Sequence, residues 1–529
     1  MKLLLGEIIE AVGGTCASSA ANVTACGVNW DSRAIQAGDM YVALPGERVD
    51  GHDFIEGAAA KGAVCALVSR ELEASIPLIL VDDTAAALTR LSAYWRGRLE
   101  GVVIGLTGSV GKTSTKNLVR DVLSFAGSVV ATKANQNNEL GVPNTLLAAD
   151  ADTQAVVVEM GMRGRGQITE LCEIAKPDWG IITNVGESHI ELLGSRDNIA
   201  RAKAELFEAL PEGEGIAFVN AADDYARFVY DHAKLDERGV TAVFYNGSQD
   251  GAPSVWAENV TFDEEGKPTF MLNVRDVPVC ANVADSGSAL CVSDSAIQSN
   301  AACGDGHMPV SDSAGTIPET SSRQAEDKRT GKCPSPQADR LTGRIECRLE
   351  LRGAHSVTNA CAAAAVGLVA GMTLEQVRDA LALAQPEQGR QQITRTSAGI
   401  TVFDDSYNAS PDSMQASLNT FASMAVDGKR VAVLGDMLEL GDFAKECHER
   451  VGVMAARAKV DMLVCVGELS RDMARAAEEA GLDGDVISTC DNAEEALALI
   501  VPLLEPGDAV LAKASHSIGL DRIVKGLVS

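Results

Sequence analysis

The run Gly105-Leu-Thr-Gly-Ser-Val-Gly-Lys-Thr-Ser114 sets closely spaced glycines just ahead of a lysine and a threonine. Glycines at 108 and 111 let a backbone turn tightly and approach an anion. The amides of a following helix start then point at it, and the helix dipole favours negative charge there. Lys112 is suited to reach the β- and γ-phosphates of a nucleotide, and the Thr113 hydroxyl to hold Mg²⁺. Thr107, Gly108, Ser109, Val110 and Gly111 form the rest of the cradle. The strict G-x-x-x-x-G-K-T spacing is not met, because position 106 is Leu. Context argues for a phosphate loop all the same. The apolar Val102–Ile104 ahead of it reads as a strand, and Lys116–Ser124 behind it as a helix. Alone, the loop indicates a nucleotide and leaves the reaction open.

Further residues could act beside it. Ala155-Val-Val-Val-Glu159 is an unbroken apolar run ending in a carboxylate. Such a run fits a strand buried on both faces of a parallel sheet, whose C-terminal end is the ligand side. Glu159 is thus either a metal ligand or an ordinary helix-start carboxylate. His189 follows the strand-like Trp179–Asn184 and is either structural or metal-binding. Between the glycine loop's helix and Ala155 lies Thr132–Pro143, rich in amide side chains and including Asn138. On a helix, Ile199, Lys203, Leu206 and Phe207 share one face, so Lys203 falls in an apolar stripe while Arg201 points away. Lys203 either snorkels to solvent or is held with a depressed pKa. A neutral amine can take up CO₂ as a carbamate, which turns a cation into an anionic ligand. Asn359, ahead of an Ala-rich helix, is a cap or a reader of a base edge. Ser32 and Arg33 sit in a loop, where they suit a diphosphate or form an ordinary turn.

The elements that must position these residues need several cores. The chain has 529 residues, too many for one. Three domains are expected: a small α/β domain over 1–97, a nucleotide domain over 98–392 and a doubly wound domain over 393–529. In the last, strands are expected at Thr401–Phe403, Arg430–Leu434, Met462–Val466, Val486–Thr489 and Ala509–Ala512. The clusters Asp404–Ala409 and Lys513–His516 then lie at strand ends. A stretch over 281–342, poor in aromatic residues and without period, reads as a disordered insertion. Thr269–Cys280 and Arg344–Leu351 flank it as two strands of one hairpin. Its Cys291, Cys303, Cys333 and His307 are too irregularly spaced for zinc to be expected. The net charge of −29 argues against nucleic acid and anionic membranes as partners. No membrane span and no secretory leader are expected. The 13 cysteines, an odd number, point to reduced thiols in the cytoplasm.

Together and in this order, these motifs resemble the Mur ligase family. The resemblance rests on Asp31-Ser-Arg33 with Pro45-Gly-Glu-Arg48, the glycine loop, Glu159-Met-Gly161, Asp404–Ala409 and Gly435-Asp-Met-Leu-Glu-Leu-Gly441. It covers nearly the whole chain apart from the insertion. It implies an α/β, three-domain architecture with a P-loop ATPase-like central parallel sheet and a Rossmann-like C-terminal domain. The branch it resembles uses ATP to join D-alanyl-D-alanine to a UDP-N-acetylmuramoyl-tripeptide through an acyl phosphate, as a monomer. The resemblance assigns Lys112, His189, Lys203 and Arg390 to catalysis, with Lys203 carbamylated. Two Mg²⁺ ions fall to Thr113, Glu159, His189 and Lys203. Asn359, Asp405 and Asn408 face ATP. Ser32, Arg33, Asn138, Tyr407, Lys513 and Ser515 face the other substrates. Three positions depart from the family pattern: Ser356 for Asn, Ala514 for Gly and His516 for Arg. A folylpolyglutamate synthase-like ligase and a non-catalytic nucleotide switch are the rival readings.

Overall fold

The computed structural model describes residues 1–17, 23–46, 49–247, 253–280, 339–387 and 389–528. The expected disorder and the zinc-site candidates fall within 281–338 and lie outside the described residues. Among the described residues, no helix is long and apolar enough to cross a membrane, and the ten described cysteines are free thiols.

The centre is a nine-stranded sheet. Val102–Thr107 lies inside it, paired in parallel with Ala155–Glu159 on one side and Trp179–Ile182 on the other. Ile216–Asn220 and Thr241–Tyr245 extend the parallel part beyond Trp179–Ile182. These strands are apolar because both faces are covered: every residue of Val102–Thr107, Ala155–Glu159, Trp179–Ile182 and Ile216–Asn220 is buried. One face shares its core with the N-terminal segment. The other packs under the Ala-rich helix Ala354–Val369. Small residues there allow close approach to helix Lys112–Ser124. A Cβ on Gly367 would stand 2.7 Å from Val122 Cγ1.

The far edge of this sheet is antiparallel. Val255–Phe262 pairs with Pro268–Pro278, which pairs with Arg340–Arg348. The expected hairpin is present, but its second strand begins at Arg340. Residues 340–342 therefore belong to the sheet and not to the insertion. The alternating exposure of Arg340–Arg348 marks it as an edge. Alternation too weak to see within a polar stretch hid its first turn of pairing.

The N-terminal segment carries a four-stranded parallel sheet, Gly27–Asn29, Asp39–Val42, Cys65–Val68 and Leu78–Leu80. The C-terminal segment carries six strands. Five are parallel: Thr401–Asp404, Arg430–Gly435, Met462–Val466, Ile487–Cys490 and Ala509–Lys513. Separate apolar cores cover its two faces, as a doubly wound sheet requires. An antiparallel edge strand, Gln392–Arg395, was not expected from the sequence.

Val279 N donates to Asp339 O at 3.1 Å, so the chain ends flanking 281–338 already lie side by side. Replacing 281–338 by a short turn is expected to leave the melting temperature nearly unchanged. Extending the deletion through 342 removes the Val277–Leu341 and Pro278–Arg340 pairs. A further fall of about 2–4 °C is expected, the effect of about 1 kcal/mol in a domain of this size. Calorimetric melts of the two deletions check this.

Candidate functional site

The glycine loop spans the end of Val102–Thr107 and the start of Lys112–Ser124. Gly108, at φ +156, passes so close to the neighbouring strand end that a Cβ would meet Thr183 Oγ1 at 1.8 Å. Gly111 caps the helix at φ +80, in the left-handed region. Asn184 braces the loop from the next strand: its carbonyl accepts from Ser109 N at 3.0 Å and its Oδ1 from Val110 N at 2.9 Å. Ser109 Oγ accepts from Gly186 N at 2.9 Å. Thr107 faces inward and donates to Met160 O at 2.9 Å. Lys112 folds back over the loop and donates to Gly108 O at 2.8 Å. Burial lowers its pKa, with Glu159 opposing the shift and Arg390 adding to it.

Glu159 stands at the end of its strand, 1% exposed. Oε1 accepts from Asn137 Nδ2 at 3.0 Å and from Thr113 Oγ1 at 3.3 Å. Oε2 is buried without a hydrogen bond. Its nearest cation is Lys116 Nζ at 3.8 Å. Lys116 donates in turn to Thr132 O at 2.6 Å. Arg390 reaches in from the linker and donates to Thr113 Oγ1 at 3.0 Å. Its guanidinium lies 4.1 Å over the Tyr407 ring. Glu387 holds the same linker to Asn117 of the loop's helix at 2.9 Å. Asn359 is buried against the loop, with Oδ1 3.2 Å from where a Gly111 Cβ would stand.

Lys203 lies on helix Arg196–Glu208, 1% exposed. It does not snorkel, and its ammonium has no hydrogen bond or ion pair among the described residues. Burial first, and the charge of Lys112 second, drive its pKa well below the lysine range. His189 holds a left-handed φ of +65. Burial pushes its pKa down to about 4, with Lys112 and Lys203 adding to the shift. The imidazole is therefore neutral at pH 7. Glu439 Oε2 lies 2.8 Å from His189 Nδ1. The ring is turned off that axis, so Nδ1 still lacks a hydrogen bond. Lys112, Thr113, Glu159, His189, Lys203, Asn359 and Arg390 thus gather in one place.

A second cluster joins it through Tyr407. Lys513, 2% exposed, gives its donors to Asp405 Oδ2 at 2.6 Å, Asn408 O at 2.8 Å and Asp405 O at 3.5 Å. Ser417 also donates to Asp405. Ser515 Oγ accepts from Leu438 N at 2.9 Å. Lys513 and Ser515 accordingly act as struts in this arrangement. Two other expected groups are engaged with local partners. Asn138 Oδ1 accepts from Gly141 N at 3.0 Å in the turn before the next helix, and its neighbour Asn137 is the amide that reaches Glu159. Arg33 is tied to Asp31 in the exposed turn holding Ser32.

Sequence reasoning missed Lys116, Asn117, Asn137, Asn184 and Glu439. Lys116 lies one helical turn beyond Lys112, a spacing that puts both on one face, and Asn184 ends a strand. Neither Asn137 nor Glu439 carried a distinguishing local signal.

The residues fit Mg²⁺. Glu159 Oε2 is a buried oxygen lacking a partner, and Thr113 supplies a hydroxyl beside it. No three His, Cys, Asp or Glu side chains converge as a metal cage among the described residues. That suits an ion commonly held by one or two carboxylates together with phosphate oxygens.

Replacing Gly108 by Ala drives a methyl into Thr183 and displaces the loop. ATP affinity is expected to fall tenfold or more by titration calorimetry, about 1.4 kcal/mol. Unchanged affinity would mean that this loop does not hold the nucleotide.

Three family models match the chain: the Mur ligase family catalytic domain over residues 25–96, the Mur ligase middle domain over 106–284 and the Mur ligase glutamate ligase domain over 389–516. UDP-N-acetylmuramoyl-tripeptide–D-alanyl-D-alanine ligase of Mycobacterium tuberculosis is 35% identical, over 100% of this chain and 98% of its own length. The enzyme of the same name from Escherichia coli is 30% identical over 100% and 98%. The crystal structure of MurF from Acinetobacter baumannii matches with a TM-score of 0.75 and 27% identity, covering 100% of this chain and 99% of that one.

Proposed function

The chain belongs to the Mur ligase family, and from that premise we propose that it joins D-alanyl-D-alanine to a UDP-N-acetylmuramoyl-tripeptide, using ATP. The supporting observation is the convergence of basic side chains on the loop. Lys112, Lys116, Lys203 and Arg390 converge there, while Glu159 is the buried carboxylate among them. Such a site calls for anions, and a nucleotide triphosphate beside a substrate carboxylate supplies them.

The tripeptide carboxylate attacks the γ-phosphorus; the bond to the β-γ bridging oxygen breaks and ADP leaves. The acyl phosphate is then attacked at its carbonyl carbon by the dipeptide amine. The tetrahedral intermediate loses inorganic phosphate, and the nitrogen gives up a proton as the amide forms. The protein's part is positioning and charge stabilisation. Lys112 swings from the loop carbonyls to the phosphates. Arg390, steadied by Tyr407 and Glu387, holds Thr113 and approaches the same phosphates. Glu159 and Thr113 would hold one Mg²⁺, and His189 with carbamylated Lys203 a second. When bound, Mg²⁺ neutralises charge on the phosphate oxygens. Asn359 and Asn408 face ATP, and Asp405 holds Lys513 in place behind them. Ser32 and Arg33 receive the UDP end, and Asn138 lies along the tripeptide path. The protein acts in the cytoplasm as a monomer.

Phosphate release is expected only with both UDP-N-acetylmuramoyl-tripeptide and D-alanyl-D-alanine present. Release with neither would indicate a switch ATPase, and release with a folate and glutamate the folylpolyglutamate reading. Lys203→Ala is expected to lower turnover on the order of 10²-fold or more, with partial recovery on adding short carboxylic acids. Near-normal turnover without such acids would remove the carbamate role.

A further inference from the structure

The segment Gly435-Asp-Met-Leu-Glu-Leu-Gly441 has no task in the mechanism above, yet it is held on several sides. Met437 N donates to His448 Nε2 at 2.9 Å, and Leu438 N to Ser515 Oγ at 2.9 Å. Asp436 Oδ1 accepts from Ser470 N at 2.7 Å, and its carbonyl from Ser515 N at 3.0 Å. Met437 and Leu440 are buried. What remains at the tip is Glu439, in the left-handed region at φ +61.

Glu439 crosses to the central sheet. Its Oε2 lies 2.8 Å from His189 Nδ1 and its Oε1 3.5 Å from Arg163 Nη2. His189 is itself left-handed, at φ +65. A non-glycine residue in this region is strained and persists where the surroundings impose it. Two such residues face each other across this junction. The approach also depends on Gly441, at φ +51, where a Cβ would stand 2.6 Å from Glu191 Cγ.

We propose that Glu439 is a positioning residue for His189. It accepts a hydrogen bond from Nδ1–H, fixes the tautomer and leaves the Nε2 lone pair free for the reaction site. A carboxylate on one ring nitrogen commonly sets the proton and orientation of a working histidine in this way. The short, off-axis contact seen here becomes that bond when the ring turns. Because Glu439 lies beyond the linker and His189 before it, the imidazole is oriented only when the C-terminal segment is seated. Arg163 lies beside the second carboxylate oxygen, 3.5 Å away, as an exposed ion pair.

The kinetic arm of the test rests on the ligase reading; the spectroscopic arm does not. Ring-¹⁵N NMR of the full chain without nucleotide, with His189 assigned by its loss in His189→Gln, is expected to show the Nδ1–H tautomer. In Glu439→Ala the signal is expected to move towards Nε2–H. In turnover, Glu439→Ala is expected to lower kcat about tenfold or more, with the KM for ATP within about twofold. Glu439→Gln, which keeps an acceptor oxygen, is expected to recover part of the loss. Combined with His189→Ala, Glu439→Ala is expected to cost nothing further. An Nε2–H ring in the parent protein, a tautomer unmoved by Glu439→Ala, or additive kinetic losses would overturn the proposal. No turnover in the parent protein would instead count against the ligase reading and leave the NMR result standing. If Glu439→Ala fails to fold, Glu439→Gln carries both measurements.

Discussion

Positive charge held out of water without matching negative charge is the constraint on which the rest of the site depends. Lys203 is 1% exposed and has no ion pair among the described residues, and Lys116 is 1% exposed with its carboxylate partner 3.8 Å away. Removing an ammonium from water costs several kcal/mol even after the surroundings relax. Burial depresses the pKa of Lys112, Lys116 and Lys203 together, which is how that cost shows itself in the chain folded alone. Lys112 also rests on a loop carbonyl, Gly108 O, at 2.8 Å. The arrangement is poised to take up anions.

The fold makes this possible by ending strands side by side. Thr107, Glu159 and Ile182 close three adjacent parallel strands, and the loops leaving them carry the chemistry. Gly108 exists because no side chain fits between that loop and Thr183. The C-terminal segment completes the pocket through a few polar contacts: Arg390 to Thr113, Glu387 to Asn117, Arg450 to Glu187 and Glu439 to His189. Contacts of this kind tie the linker and the far sheet to the phosphate loop.

Much of this was legible in the sequence, for physical reasons. The apolar run before Glu159 is long enough only for a strand covered on both faces, so its last residue had to emerge at the ligand edge. The apolar stripe around Lys203 required burial or snorkelling, and the structure chose burial. The edge strands Gln392–Arg395 and Arg340–Thr342 were missed because edge strands are half-solvated and polar. Asn137 and Asn138 are neighbours of the same residue type, and only the turn geometry decides which reaches Glu159. Glu439 was invisible because its partner is 250 positions away by number, on another sheet. Lys513, expected at the substrate side, gives its donors to Asp405 and Asn408.

The claim beneath all of this is that Lys203 is a buried amine of depressed pKa that becomes an anion by taking up CO₂. ¹³C NMR of the protein equilibrated with ¹³C-bicarbonate measures it directly. One carbamate resonance is expected, present in the parent chain and absent from Lys203→Ala. A parent spectrum without that resonance, or the same resonance in the variant, would contradict it.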